Sequence, residues 1–294
     1  MRSHEDDART AARPLVLKFG GELLEDRAHL ASVVAGVAAM AKSGTPVVVV
    51  HGGGKEIDAA LGVAGIEKRQ IEGLRVTDEP TLDIVVSVLA GAVNTRLVAA
   101  LNTAGVPAVG LTGADARCGL SVVAAPHETV EGRIVDLGCV GVPDGQADMR
   151  LLHTLTLDGF VPVIASIGLG ADGQLFNVNA DTFAGHLAAR LGARRLVIAG
   201  TTPGVRGADG ATLPLLGLEA VAELVNDGTA TVGMIAKLRA CAHAIANGVD
   251  SVEIVDGRDR AALIAAAGSA AAQGTGARST RITAGTTACT TTAG

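Results

Sequence analysis

The chain predicts an α/β fold, a mostly parallel sheet with helices on both faces. Short, nearly unbroken apolar segments recur along it, as in Val47–Val50 and Val161–Ile167. Longer amphipathic segments of helical length separate them. Strands buried on both faces read as such unbroken runs, whereas strands with one wet face alternate in polarity. The 294 residues suffice for one large or two modest domains with a sizeable core.

Taken in order, Leu15–Phe19 reads as the first strand and residues 28–41 as the helix after it. Val47–Val50 is the second strand, followed by a helix over 55–64. A long helical stretch over 80–103 leads to a strand over 107–111. A helix over 146–158 precedes the strand 161–167, and a helix over 181–191 precedes the strand Arg195–Ala199. Helices over 218–226 and 234–246, the strand Ser251–Val255 and one more helix complete the alternation expected of a layered α/β unit. Segments 115–143 and 168–178, rich in Gly and short polar residues, read as hairpins projecting from the sheet. A soft boundary near residue 192 divides the chain into an N-terminal lobe, 14–192, and a C-terminal lobe, 193–283. Residues 284–294, mostly Thr, Ala and Gly, are expected to be disordered.

Composition removes several function classes. Apolar residues reach 48%, but much of this is Ala. The longest apolar runs, such as Ile84–Val93, fall short of a membrane span, and the acidic N-terminus carries no secretory signal. A net charge of −6, with no Trp, no Tyr and four Phe, argues against a nucleic-acid partner. The four cysteines have no paired metal-ligand spacing, so no protein-held metal is expected, and reduced thiols in a cytoplasm are the default.

The polar residues that stand out sit at strand ends. Lys18 closes an apolar strand and is followed by Gly20 and Gly21, which permit a tight turn and close approach of a ligand. Ligands of open α/β sheets collect beyond the carboxyl ends of the strands. A solvated lysine is the commoner reading of such a residue taken alone. His51 and Gly52–Gly54 follow four valines and enter a helix, where bare N–H groups and the helix dipole favour an anion. No Gly-x4-Gly-Lys-Ser/Thr loop occurs. Gly168–Gly173 does match Gly-x-Gly-x-x-Gly, but strand-like residues follow it and no acid lies about 20 residues on, so it reads as a hairpin turn. Arg75 lies in Gly-Leu-Arg-Val-Thr-Asp, residues 73–78, and Arg suits a bidentate grip on carboxylate. Asn177, Asn179 and Asp181 crowd a turn that opens a helix; capping explains such residues about as well as function does. Lys237 falls in the first turns of a helix, where a cation is unfavourable unless solvent screens it or an anion faces it.

The segments Lys18–Gly21, His51–Gly54, Gly73–Asp78, Asn177–Asp181 and Gly233–Lys237 follow one another in the order seen in the amino acid kinase family. Gly-Leu-Arg-Val-Thr-Asp and Asn-Val-Asn-Ala-Asp look like the N-acetylglutamate kinase branch of it, and the resemblance runs from about Leu15 to Ile282. It implies a three-layer α/β/α sandwich like that of carbamate kinase, with the acyl amino acid on the N-terminal lobe and MgATP on the C-terminal lobe. By matched position it implies that Lys18 and Lys237 stabilise the transferring phosphoryl group and that Asp181 orients them. Gly53, Gly54, Arg75 and Asn177 would hold N-acetyl-L-glutamate, and Gly20, Gly21, Thr201 and Gly204 would border ATP, whose Mg2+ travels with the nucleotide. The chain differs from the family at Thr201, where Asp is usual, at Ala236, where Pro is usual, and at Thr95, where Lys is frequent. About a dozen mostly polar residues precede the first strand, too few for the long N-terminal helix of arginine-inhibited hexamers. An arginine-insensitive homodimer is therefore expected.

Overall fold

The computed structural model describes residues 13–129, 131–207, 209–226, 232–268 and 279–285. Along the chain, β1 (Leu15–Phe19) is followed by α1 (Arg27–Lys42), then β2 (Val47–His51), α2 (Gly54–Val63) and α3 (Glu79–Thr103). Next come β3 (Ala108–Thr112), α4 (Arg150–Leu157), β4 (Val161–Ala165), α5 (Ala180–Arg190) and β5 (Arg195–Gly200). The C-terminal part adds β6 (Leu215–Gly217), α6 (Leu218–Asn226), α7 (Val232–Ala246), β7 (Ser251–Asp256), α8 (Arg260–Ala267) and β8 (Ser279–Thr283).

These strands form one eight-stranded sheet in the order β6-β8-β7-β5-β1-β2-β4-β3. Every neighbouring pair runs parallel except β7 with β8. The two lobes expected from sequence share this continuous sheet, and β5 pairs directly with β1.

The alternation of side chains along a strand sets the layers. From β1, Leu15, Leu17 and Phe19 join Val33 and Val37 of α1, Leu97 and Leu101 of α3 and Leu263 of α8 in one core. Val16 joins Leu152 of α4, Phe183 and Leu187 of α5 and Leu238, Cys241 and Ile245 of α7 in the other. A smaller cluster under α2 and the first half of α3 is built on Ile57, Leu61, Val85 and Leu89. The sandwich therefore has three layers, as the resemblance implied.

Several expectations change in detail. The strand 161–167 splits at Ser166: Val161–Ala165 stays in the main sheet, while Ile167–Leu169 turns into a second one. The two projecting hairpins prove to be one four-stranded sheet, because Val140–Pro143 pairs with both Ser121–Val123 and Leu175–Val178. The turn over Gly170–Gln174 is a hairpin turn, as read. Strands β6 and β8 carry too short or too polar a pattern to be read in advance. From residue 286 onward the expected disordered tail lies outside the described residues. Helix α3 is 25 residues long and apolar enough to cross a membrane by length and composition, although its unbroken apolar run is short. Here one of its faces packs on the sheet. Its middle, Ser87–Val93, widens into a π-helical stretch, a feature frequent near functional sites.

Candidate functional site

Parity along β1 places the first candidate side chain. Lys18 shares the face of Val16, so it points toward α5 and α7 rather than into solvent. Its Nζ lies 2.9 Å from Asp181 Oδ1, and both side chains are 7% exposed. Asp181 sits in the first turn of α5, where a carboxylate suits the helix dipole. Lys237 reaches the same carboxylate from α7, with Nζ 3.1 Å from Oδ2. Close packing makes this possible: a Cβ on Gly185 of α5 would stand 2.8 Å from the Ala240 carbonyl of α7. Burial opposes ionisation of Asp181, but the charges of Lys18 and Lys237 overcome it and hold the carboxyl below its usual range. Burial likewise works against the charge on Lys237, and Asp181 more than offsets it, holding that ammonium above its ordinary value. Two cations thus share one anion, Asp181, near the carboxyl end of β1.

The two glycine turns meet beside this group. A Cβ on Gly21 would lie 2.7 Å from Gly53 Cα and 3.0 Å from Gly54 N, so the two backbones touch with no room for a side chain. On its other side Gly53 packs against Leu89 and Val93 of the π-helical stretch. Gly53 and Gly54 open α2, whose first N–H groups have no intrahelical acceptor. The turn is held from behind by His51, which belongs to the opposite face with Val47 and Val49. His51 Nδ1 donates to Gly52 O over 3.1 Å, leaving Nε2 to accept from Asn94 Nδ2 over 3.0 Å. Burial pushes this imidazole down to about 4, with the bond to Gly52 opposing the shift. His51 is therefore a neutral buttress of the turn.

Arg75 lies across α2. Its Nη2 donates to Gly54 O over 3.2 Å and pairs with Asp58, which also holds Lys68 over 2.6 Å. Its Nη1 is buried with no partner among the described residues. A buried donor without an acceptor is costly, so such a group points to a ligand. Asn177 Nδ2 donates to Thr77 Oγ1 over 3.0 Å.

Lys18, Asp181 and Lys237 thus come together, Gly20 and Gly21 abut Gly53 and Gly54, and Arg75 and Asn177 are joined through Thr77. Thr201 and Gly204 lie farther along, past β5. The Thr201 carbonyl accepts from Arg258 over 2.9 Å. A Cβ on Gly204, at φ +152°, would stand 2.4 Å from Thr280 Oγ1. Capping accounts for one of the three polar residues in the 177–181 turn: Asn179 Oδ1 accepts from the N–H groups of Asp181 and Thr182 over 3.0 and 3.1 Å. Sequence reasoning missed Asp58, Thr77 and Asn94. Asp58 stands four residues after Gly54, on the same helix face, and Thr77 two after Arg75, so spacing alone offered a signal for both.

Comparisons with known proteins bear on the family of the chain. The family model described as the amino acid kinase family matches residues 13–256. An acetylglutamate kinase of Methylobacterium nodulans is 41% identical over 249 residues, covering 83% of this chain and 81% of the relative. An acetylglutamate kinase of Novosphingobium aromaticivorans is 40% identical over 262 residues, covering 85% of each. The solved N-acetylglutamate synthase of Neisseria gonorrhoeae, complexed with coenzyme A and N-acetyl-glutamate, superimposes with a TM-score of 0.77 at 24% identity. It covers 95% of this chain, which spans only 61% of that longer protein, so this likeness concerns the fold alone. The extent of the family match and the two relatives together place the chain in the amino acid kinase family.

Proposed function

We propose that this protein transfers the γ-phosphoryl group of MgATP to the side-chain carboxylate of N-acetyl-L-glutamate, yielding ADP and N-acetyl-L-glutamyl 5-phosphate, a step of arginine biosynthesis. The observation that carries the reading is the ion triad of Lys18, Asp181 and Lys237, with Arg75 Nη1, which has no partner among the described residues, beside the glycine turns. Relatives at 41% and 40% identity that bear the name acetylglutamate kinase support the choice of substrate.

The chemistry explains why such a site needs no general base. A side-chain carboxylate, with an ordinary pKa of about 4.3, is already ionised at neutral pH. The obstacle is electrostatic: two unit charges about 4 Å apart repel by roughly 4 kcal/mol at an effective dielectric near 20. A carboxylate oxygen bonds to the γ-phosphorus while the bond to the β–γ bridging oxygen breaks, and negative charge spreads over the transferring group. Lys18 and Lys237 supply the opposing charge, fixed in place by Asp181 before the substrates arrive. Arg75 Nη1, Asn177 and the Gly53 and Gly54 amides hold the acyl amino acid. Gly20, Gly21, Thr201 and Gly204 border the nucleotide, whose Mg2+ enters as part of that substrate. The same reading assigns the amino acid to residues 14–192 and the nucleotide to residues 193–283. It makes the protein a cytoplasmic homodimer.

Hydroxylamine traps acyl phosphates, so incubation with MgATP and hydroxylamine tests the reaction directly. Hydroxamate is expected from N-acetylglutamate, much less from N-succinylglutamate and none from free glutamate. Preference for the succinyl compound would change the substrate, and no hydroxamate from any would refute catalysis.

A further inference from the structure

We propose that Thr77 is a positioning residue for the acyl amino acid: its hydroxyl locks Arg75 and Asn177 into one unit and fixes which way the Asn177 amide faces. The inference rests on the function proposed above and adds to it a residue that touches neither reacting group.

Thr77 is wholly buried and lies where three segments converge. Its Oγ1 donates its only proton to Arg75 O over 3.0 Å. Toward Asn177 it can therefore only accept, so the amide nitrogen, 3.0 Å away, must be the atom facing it. Turning the amide round would set two acceptors against each other in a buried place. The backbone of Thr77 is tied as firmly: its N–H donates to Leu137 O over 2.9 Å and its carbonyl accepts from Cys139 N over 2.6 Å. Gly138 between them has φ +69°, and a Cβ there would stand 2.4 Å from Thr77 O. Cys139 O in turn accepts from Asn177 N over 2.9 Å. The arm carrying Arg75, the turn 137–139 and the strand carrying Asn177 are thereby joined, with the hydroxyl as the single side-chain link among these bonds. Asp58 and Gly54 hold Arg75 Nη2 while Thr77 holds the Arg75 carbonyl, so the residue is fixed at both ends, and the same hydroxyl fixes the Asn177 amide.

Thr77→Val keeps the shape and removes both bonds. The KM for N-acetylglutamate, and its Kd by calorimetry, should rise about tenfold, the size expected when one buried polar pair is left unmade. The KM for MgATP should stay within twofold and kcat within threefold. Thr77→Ser should restore the amino-acid KM to within threefold of the parent. If Thr77→Val does not fold, Thr77→Cys replaces it, since a thiol is a weak donor and acceptor and should raise the same KM. An unchanged KM and Kd for the amino acid in these variants, or equal rises for both substrates, would overturn the inference. Arg75→Ala, assayed alongside, separates the two claims. If Arg75→Ala raises the amino-acid KM while Thr77→Val does not, only the positioning role fails. If neither moves it, the site assignment itself fails.

Discussion

Replacing Asp181 by Asn removes one charge and nearly nothing else, and the structure sets the size of the consequence. Two ammonium groups stand 2.9 and 3.1 Å from that carboxylate, on side chains that are 7% and 20% exposed. The variant leaves both cations without the carboxylate they share. Unit charges about 3 Å apart interact by roughly 5 kcal/mol at an effective dielectric near 20, but relaxation and water entry reduce the net loss. Breaking a buried pair from one side costs about 3–5 kcal/mol, a large part of the roughly 5–15 kcal/mol that a native fold holds. Urea denaturation of Asp181→Asn should show a loss of that order. Pyrophosphate or MgADP should then stabilise the variant more than the parent, because phosphate replaces the missing negative charge. Turnover should fall about a hundredfold or more, since both ammonium groups lose the group that fixes them, while nucleotide affinity is kept or increased. A loss below about 1 kcal/mol, or phosphate ligands that stabilise the variant no more than the parent, would refute the shared-anion account.

Other perturbations follow from the same geometry. Lys237→Ala should lower kcat far more than it raises the KM for the amino acid, while Arg75→Ala should mainly raise that KM; equal behaviour would overturn the division between phosphoryl and substrate contacts. Burial holds His51 and His186 down at about 4 against an ordinary 6.5, so between these values the unfolded chain takes up protons that the native one refuses. Stability should be fully present above pH 6.5 and decline toward pH 4, by up to about 3 kcal/mol for His51; a melting temperature flat over that interval would contradict its buried neutral state. Below it, the lowered pKa of Asp181 adds a second loss as the carboxylate itself is protonated. Gly21→Ala pushes a methyl group to 2.7 Å from Gly53 Cα, and should cost about 1–3 kcal/mol of stability and raise KM for both substrates. Gly62→Ala, where a Cβ meets nothing within 4 Å, is the control and should leave kinetics unchanged; similar effects from both would undo the argument from close approach.

The fold was legible where strands are buried on both faces, because Val47–Val50 or Arg195–Ala199 have no other way to be satisfied than in a covered sheet. It was illegible at the edge. Ser279–Thr283 alternates Ser, Thr, Arg, Ile and Thr, and becomes a strand only because β7 and β6 stand on either side of it. The split at Ser166 is similarly a tertiary event, set by pairing of Ile167 with Asn177. In the site, Lys18 taken alone favoured the solvated reading, since a lysine at a strand end ordinarily snorkels. Counting parity along β1 sends it instead to the face where α5 and α7 begin. His51 stood in an equally suggestive place, and the same counting sends it to the other face, against Asn94.

That separation by parity carries a consequence for the chemistry. A basic imidazole beside the lysines would bring a titrating charge into a site that, on the proposed reading, holds positive charge against two anions. With His51 behind the turn and neutral, the charges set beside the glycine turns by this triad are two ammonium groups and the one carboxylate they share. Asp181 is held ionised and Lys237 held charged by the same contact. The triad sets two ammonium groups against one carboxylate, and it is kept in position by α5 and α7, which pack closely at Gly185. On the proposed reading, a phosphoryl group in transfer, with its charge spread over three oxygens, meets donors that need not reorganise as the charge moves. The burial of three ions, unfavourable for the fold on its own, is the structural expense of that readiness.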